Sequence, residues 1–186
     1  MSVCINHISI YLPDNRLSNA DLANVFDIEP EQLFKNTHIN ARYVSKAGEL
    51  SSDMAIKAGN NLFNETKLDK SEIDFLIFCS EGFDYIAPAT SCIIQHKLGL
   101  STKVGCFDLP YGCSGYVYGV GIAYGLLKAG IAKKILFLTA DIPTKVIAKD
   151  DLELRSIFSD VATASIISLD DFKRNILFTA PMEMEH

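Results

Sequence analysis

The chain has 186 residues, 48% of them hydrophobic and 22% charged, so it has the composition of a globular protein with a full core rather than of a disordered one. Its net charge is −6 and no basic stripe is present, which argues against a nucleic acid as partner. The longest apolar stretch is interrupted by glycines and tyrosines, and no basic segment precedes an apolar run at the N-terminus, so we expect neither a membrane span nor a signal peptide.

The first third of the chain is typical of one strand followed by three helices. Apolar residues alternate over 3–12, which predicts a strand. Ser18 is a candidate N-cap for a short helix over 19–26, and Pro30 begins a second short helix that ends near Phe34. Residues 38–43 are polar and are expected to be an extended loop. A longer helix is predicted from Ser51 to about Thr66.

Strands and helices alternate in the rest of the chain. Four apolar runs have the length of strands that are covered on both faces: 73–79, 104–109, 133–140 and 162–169. Helices are predicted at 88–98 and from Cys113 or Ser114 to Gly130. Residues 141–155 are expected to be irregular, and 176–179 to begin one more short strand. This alternation predicts an α/β domain with a mostly parallel sheet.

A cysteine occupies the junction between the strand at 104–109 and the glycine-rich helix. A Pro/Gly turn at 110–112 leads to Cys113, where the helix begins. The first turn of a helix has N–H groups without helical acceptors and the positive end of the helix dipole. Such a position favours a thiolate, and the same N–H groups can stabilise an oxyanion. Gly112 and Gly115 leave both sides of the sulfur free of side chains.

The position of this cysteine relative to the predicted sheet also favours a functional role. Ligands of open α/β sheets bind beyond the carboxyl ends of the strands, and Cys113 falls at that end of its strand. We therefore predict that Cys113 is a catalytic nucleophile. The alternative is a small structural cysteine packed at a tight turn, since free cysteines are often buried.

The remaining cysteines show no pattern of a disulfide framework or a metal site. Cys4, Cys79, Cys92 and Cys106 form no C-x-x-C pair and share no ligand spacing with the histidines. We expect reduced thiols in a cytoplasm, these four cysteines in the core, and no metal. The small residues Gly115, Gly119 and Ala123 and the pair Gly121/Gly125 recur at helical spacing and are expected to allow close packing against another half of the fold, rather than to form a dinucleotide fingerprint.

Four stretches resemble the N-terminal half of the β-ketoacyl-acyl-carrier-protein synthases III, condensing enzymes of the thiolase superfamily. They are SSDMAIKAG (51–59), IDFLIFCSEGFDYIAPATSCIIQHKLG (73–99), CFDLPYGCSGYVYGV (106–120) and IFSDVATASII (157–167). The third is similar to the active-site cysteine motif of the family. The resemblance implies one thiolase-like N-terminal domain over 1–186, with a mostly parallel or mixed five-stranded sheet and helices on both faces.

The resemblance also implies an activity. Cys113 would accept an acyl group from acyl-CoA, and the acyl group would then condense with a malonyl-acyl-carrier-protein thioester in fatty-acid or related biosynthesis. The implied partners are acyl-CoA, an acyl carrier protein and a second copy of the chain, with no permanently bound cofactor and no membrane. The histidine and asparagine that assist decarboxylation lie in the second half of the family's chains, which is absent from this sequence ending at His186.

The chain departs from the family at three places. Gln32 and Asn36 occupy the positions of a tryptophan and an arginine that clamp the adenine of coenzyme A, and Arg155 is displaced from the position of a second arginine. A Gly-Asp-Gly turn of the family reads Ser159-Asp160-Val161 here, where we expect Asp160 to order the turn. These departures leave open a second interpretation: a non-condensing thiolase-like domain that serves as a structural or partner-binding half without turnover.

Overall fold

The computed structural model describes residues 2–170, which form a mixed five-stranded sheet, a separate two-stranded ribbon and six α-helices. The strands are β1 Ser2–Tyr11, β2 Asn15–Ser18, β3 Ala41–Val44, β4 Phe75–Cys79, β5 Gly105–Leu109, β6 Lys134–Asp141 and β7 Val161–Asp170. The helices are α1 Asn19–Phe26, α2 Pro30–Thr37, α3 Ser51–Thr66, α4 Thr90–Lys97, α5 Gly115–Lys128 and α6 Leu152–Ile157. Each of these helices is too short or too polar to traverse a bilayer.

The five-stranded sheet has the spatial order β1-β7-β6-β4-β5. β4 runs parallel to both β5 and β6, whereas β7 is antiparallel to β6 and to β1. The predicted α/β class and mixed five-stranded sheet are confirmed, but only half of the strand pairs are parallel. The β6–β7 connection, residues 142–160, begins and ends at the same edge of the sheet, so β7 runs antiparallel to β6.

Helices cover both faces of the sheet because successive strand residues point in opposite directions. Leu76 and Phe78 of β4 are completely buried in the cluster that contains α3 and α4. Ile77 and Cys79 face the other cluster, which contains α5. The near-continuous apolar runs of the sequence are therefore explained by burial on two faces, as predicted.

Local capping chemistry accounts for the helix boundaries that the sequence predicted well. Ser18 and Asp21 form a reciprocal capping box at the start of α1, and Pro30 is the first residue of α2. The predicted helix over 51–66 is α3. The ribbon of β2 and β3 and the helix α6 were not predicted, since the expected loops cover β3 and most of α6. The predicted strand at 176–179 lies outside the described residues.

The glycines of α5 pack in a different place from the one predicted. A β-carbon on Gly119 would lie 2.1 Å from the ring of Phe137 in β6, and one on Gly115 would lie 2.3 Å from the Cys79 sulfur in β4. Gly115, Gly119 and Ala123 are buried. These three residues therefore bring α5 close to the sheet of this chain, and for them the expectation of packing against another half of the fold was wrong. For Gly121 and Gly125 it stays a prediction, since a β-carbon on Gly125 would meet no atom within 4 Å.

Candidate active site

The ends of three parallel strands define the edge of the sheet that carries the candidate site. Cys79, the last residue of β4, pairs with Leu109 at the end of β5 and with Thr139 near the end of β6. The segments that follow these strands therefore meet at one edge. They bring together Glu81, Cys113 and Asp141, with Cys113 in the outermost segment.

Cys113 lies in the turn between β5 and α5 and is exposed. It precedes the N-cap Ser114 of α5 by one residue. The Gly115 N–H donates to the Gly112 carbonyl at 2.7 Å, which closes the turn around the cysteine. The thiol is thus accessible and next to a helix N-terminus, as the spacing predicted. Its role as a nucleophile stays a prediction.

A second cysteine lies beneath this turn. Cys79 is 3% exposed, and its thiol donates to the Tyr111 carbonyl at 3.2 Å. Burial, with a smaller contribution from the nearby Asp141 charge, raises the pKa of the Cys79 thiol to about 11. Cys79 is therefore a structural residue that supports the turn, in agreement with its predicted place in the core.

Two carboxylates flank the turn, and sequence reasoning assigned neither to the site. A β-carbon on Gly112 would lie 2.0 Å from Glu81 Oε1, so the Glu81 carboxylate lies against the backbone next to Cys113. Asp141 accepts a hydrogen bond from the Glu81 N–H at 2.8 Å and from the Ser80 hydroxyl at 3.1 Å. Burial raises the pKa of Asp141 above its usual value. No short-range sequence signal links these residues, because the register of three strands brings them together.

Asp108 of β5 fixes the position of α4 beside the site. Its two carboxylate oxygens accept hydrogen bonds from the N–H groups of Thr90 and Ser91, each at 2.7 Å. These are the first two residues of α4, whose N-terminus has the charge that favours a carboxylate. Asp108 thereby sets the start of the helix at Thr90 rather than at the predicted Pro88.

The turn Ser159-Asp160-Val161, which replaces Gly-Asp-Gly, is stabilised by hydrogen bonds of the Ser159 and Asp160 side chains. The buried Asp160 carboxylate accepts hydrogen bonds from the N–H and hydroxyl groups of Ser45, at 2.8 and 2.7 Å, and of Thr144, at 3.0 and 2.6 Å. The Ser159 hydroxyl accepts from the Tyr43 N–H at 2.7 Å and donates to the Tyr43 carbonyl at 3.2 Å. Asp160 thus orders this turn, as predicted, and Ser159 adds bonds that a glycine cannot make.

The residues at the positions of the adenine clamp contact other parts of the chain. Gln32 donates to the Asn36 side chain at 2.9 Å along α2. The Arg155 guanidinium lies 5.6 Å from the centre of the Phe26 ring and donates to the Lys149 carbonyl at 2.7 Å. These contacts differ from a tryptophan and arginine clamp.

The other cysteines only partly follow the expectation of a buried core. Cys92 is exposed on α4, and Cys4 and Cys106 are half-buried. For Cys92 the prediction was wrong, because the buried face of α4 is the one that carries Ile94, and Cys92 is not part of that face. Within residues 2–170, no group of three or more His, Cys, Asp or Glu side chains is arranged to hold a metal ion.

A family model described as 3-Oxoacyl-[acyl-carrier-protein (ACP)] synthase III matches residues 107–183. The Beta-ketoacyl-[acyl-carrier-protein] synthase III of Fusobacterium nucleatum subsp. nucleatum is 33% identical over 166 residues, which cover 89% of this chain and 50% of that relative. The chain spans about half the length of the curated relatives it matches.

Solved structures of 3-oxoacyl-acyl-carrier-protein synthases III are also similar to this chain over about half of their own length. A crystal structure of a 3-oxoacyl-(acyl-carrier-protein) synthase III superposes with a TM-score of 0.91 at 34% identity, over 94% of this chain and 52% of that one. The 3-oxoacyl-[acyl-carrier-protein] synthase III from Aquifex aeolicus VF5 superposes with a TM-score of 0.86 at 29% identity, over 92% of this chain and 55% of that one. In sequence and in fold, the chain is therefore similar to β-ketoacyl-acyl-carrier-protein synthases III over about half of their length.

Proposed function

We propose that the chain is the acyl-accepting half of a 3-oxoacyl-[acyl-carrier-protein] synthase III-type acyltransferase, with Cys113 as its nucleophile. The observation that carries this proposal is the exposed Cys113 thiol directly before the N-terminus of α5, at the carboxyl edge of the parallel strands. The relatives named above are condensing synthases, which makes acyl transfer the reaction of first choice for this thiol.

The first step transfers an acyl group from coenzyme A to the cysteine. The Cys113 thiolate attacks the thioester carbonyl carbon, and the negative charge moves to the carbonyl oxygen. N–H groups at the start of α5 are suited to stabilise that oxyanion. The intermediate collapses as the bond between the carbonyl carbon and the coenzyme A sulfur breaks. The released coenzyme A thiolate takes up a proton, equivalent to the one that the Cys113 thiol lost.

The second step forms a carbon–carbon bond. It requires the histidine and asparagine that the resemblance assigns to the second half of the family's chains, so we expect the 186-residue chain alone to be incomplete for condensation. A malonyl-acyl-carrier-protein thioester loses carbon dioxide, and its carbanion attacks the acyl carbonyl on Cys113. The cysteine thiolate then leaves, and a 3-oxoacyl-carrier-protein is released.

We propose a second copy of the chain as a partner, a single domain for the described residues and a cytoplasmic setting. The exposed Tyr111 and Val117 beside the thiol are suited to pack against another protein surface.

The acylation step is tested by intact-mass analysis after incubation with acetyl-CoA and with longer acyl-CoA thioesters. We expect one acyl group per chain on the wild type and none on Cys113→Ala. Cys92→Ala is the matched control, since Cys92 is also exposed but lies on α4, and this variant should acylate like the wild type. Acylation that persists in Cys113→Ala, or that is lost in Cys92→Ala, would contradict the assignment.

A structural or partner-binding role without turnover is the second candidate. It is favoured by the altered adenine clamp, in which Gln32 bonds to Asn36 and Arg155 lies over Phe26. This role predicts that no acyl-CoA of any chain length labels the wild type, although the chain is folded. Alkylation of Cys113 by iodoacetamide under the same conditions would show that the thiol is accessible and that only acyl transfer is lacking.

A further inference from the structure

Two cysteines outside the candidate site lie close together between α4 and the outermost strand β5. The sulfurs of Cys92 and Cys106 are 3.3 Å apart. Cys92 is exposed on α4, and Cys106 is half-buried in β5. We propose that Cys92 and Cys106 form an oxidisable dithiol, at which a low-molecular-weight disulfide such as oxidised glutathione introduces an intramolecular disulfide bond.

The two sulfurs are already close to bonding distance, and hydrogen bonds join the elements that carry them. A disulfide brings two sulfurs to about 2.0 Å, so these two need to approach by roughly 1.3 Å, which side-chain rotation can supply. Asp108, two residues after Cys106, binds the N–H groups of Thr90 and Ser91 at the start of α4. The helix and the strand are thus already joined within one helical turn of Cys92, which holds the two thiols side by side.

The environments of the two thiols set the order of the reaction. Burial is the main cause that raises the pKa of the Cys106 thiol, and the adjacent Cys92 sulfur raises it further. Cys92 is the thiol that an oxidant in solution can reach. It therefore reacts first, and Cys106 is the resolving thiol, held directly beside it.

The chemistry balances as two successive thiol–disulfide exchanges. The Cys92 thiolate attacks one sulfur of the oxidised glutathione, so that a mixed disulfide forms and one glutathione thiolate leaves. Cys106 then loses its proton and attacks the Cys92 sulfur, which expels the second glutathione thiolate. The two cysteines lose two electrons, the oxidant gains them, and the two protons of the cysteine thiols end on the two glutathione molecules.

Mass analysis of the chain in a Cys113→Ala background tests the proposal, since this change removes the other exposed thiol. After incubation with oxidised glutathione, we expect the loss of two hydrogen masses and a proteolytic peptide pair joined through Cys92 and Cys106. Dithiothreitol should reverse both. Cys106→Ser should trap one glutathionyl group on Cys92, and Cys92→Ser should give neither product.

A stable glutathionyl group on Cys92 while Cys106 remains reduced would overturn the proposal. A disulfide between two chains on a non-reducing gel, in place of the internal bond, would do the same. Thermal unfolding gives an independent measurement. The bond closes the 14-residue separation between the cysteines, so oxidation should raise the Tm by roughly 5–10 °C, with no rise in Cys92→Ser. None of these results depends on whether Cys113 accepts an acyl group.

Discussion

The carboxylate of Glu81 and the α-carbon of Gly112 are in direct contact beside the candidate nucleophile. A β-carbon on Gly112 would lie 2.0 Å from Glu81 Oε1, which is closer than any side chain can approach. The absence of a side chain at Gly112 thus leaves the space that the Glu81 carboxylate occupies, although Glu81 comes from another strand end. The two residues connect the loop after β4 to the turn that carries Cys113.

Gly112→Ala should impair acylation without unfolding the chain. The added methyl group displaces the Glu81 carboxylate, which is the exposed end of a flexible side chain, so we expect the free energy of unfolding to fall by less than about 1 kcal/mol. The displaced carboxylate and the methyl group crowd the approach to the thiol. We expect the rate of acylation at Cys113 to fall about tenfold or more in a single-turnover assay. Gly82→Ala, with open space around its β-carbon, is the control that should match the wild type.

Gly119→Ala should destabilise the fold strongly. Its β-carbon would lie 2.1 Å from the ring of Phe137, which is completely buried and has no space to move. Overpacking of this kind costs about 2 kcal/mol in the free energy of unfolding. Gly125→Ala in the same helix meets no atom within 4 Å and should be more stable than the wild type by about 0.5–1 kcal/mol, because alanine favours a helix. Urea denaturation of both variants measures the difference, and equal midpoints would contradict the packing described for α5.

Asp108→Ala should weaken the start of α4. The change removes the acceptors of the Thr90 and Ser91 N–H groups, and the loss of such a cap costs about 1–2 kcal/mol. Asp108→Asn keeps one carbonyl oxygen as an acceptor, so it should lose about half of that amount. Amide hydrogen exchange should show faster exchange at Thr90 and Ser91 in the alanine variant. Unchanged protection there would mean that the carboxylate does not hold the helix.

Acid should destabilise the fold through Glu49, whose side chain is 6% exposed and accepts hydrogen bonds from Lys57 and Tyr11. Burial by itself raises the pKa of Glu49, but the bonds from Lys57 and from the Lys46 N–H outweigh it and hold the pKa below its usual value. A group with a depressed pKa stabilises the fold above the ordinary pKa of a glutamate. That contribution is lost as the pH falls through the depressed value.

The experiment compares the wild type with Glu49→Gln in urea denaturation at several pH values. We expect the variant to be less stable by about 2 kcal/mol at pH 7. The difference should shrink between about pH 5 and pH 3, as the wild-type carboxyl group becomes protonated. Asp14→Asn removes an exposed ion pair with Lys46 and should change the stability little at any pH, since such pairs contribute little. A constant difference from pH 7 to pH 3 for Glu49→Gln would refute the assignment.

The sequence predicted the elements whose signals are local. Ser18, Pro30 and the run over 51–66 mark helices by capping residues and periodicity, and the apolar runs of β4, β5, β6 and β7 mark buried strands. Cys113 was found from the order of strand, turn and helix. Such features depend on residues within one turn or one strand of each other, so a single sequence contains them.

Features that depend on distant residues were missed. The start of α4 is determined by Asp108, which follows it by 18 positions, and Glu81 reaches Gly112 only because β4 and β5 are paired in register. The ribbon joins β2 and β3 across α1 and α2, so neither short strand has a signal of its own. The exposure of Cys92 depended on which face of α4 meets the sheet, and that face includes the polar Thr90 and Ser91, so the apolar residues of the helix do not specify it.

The connection between β5 and α5 consists of five residues and is anchored at both ends. The Leu109 carbonyl accepts from the Ser80 N–H at 3.2 Å, the Tyr111 carbonyl from the Cys79 thiol, and the Gly112 carbonyl from the Gly115 N–H. Because this short segment is held by hydrogen bonds, the backbone of Cys113 has little conformational freedom, and the position of its sulfur is restricted. Under the proposed reaction, an incoming thioester must therefore arrive in an orientation that the protein has already fixed, and selection among acyl donors would take place during their approach.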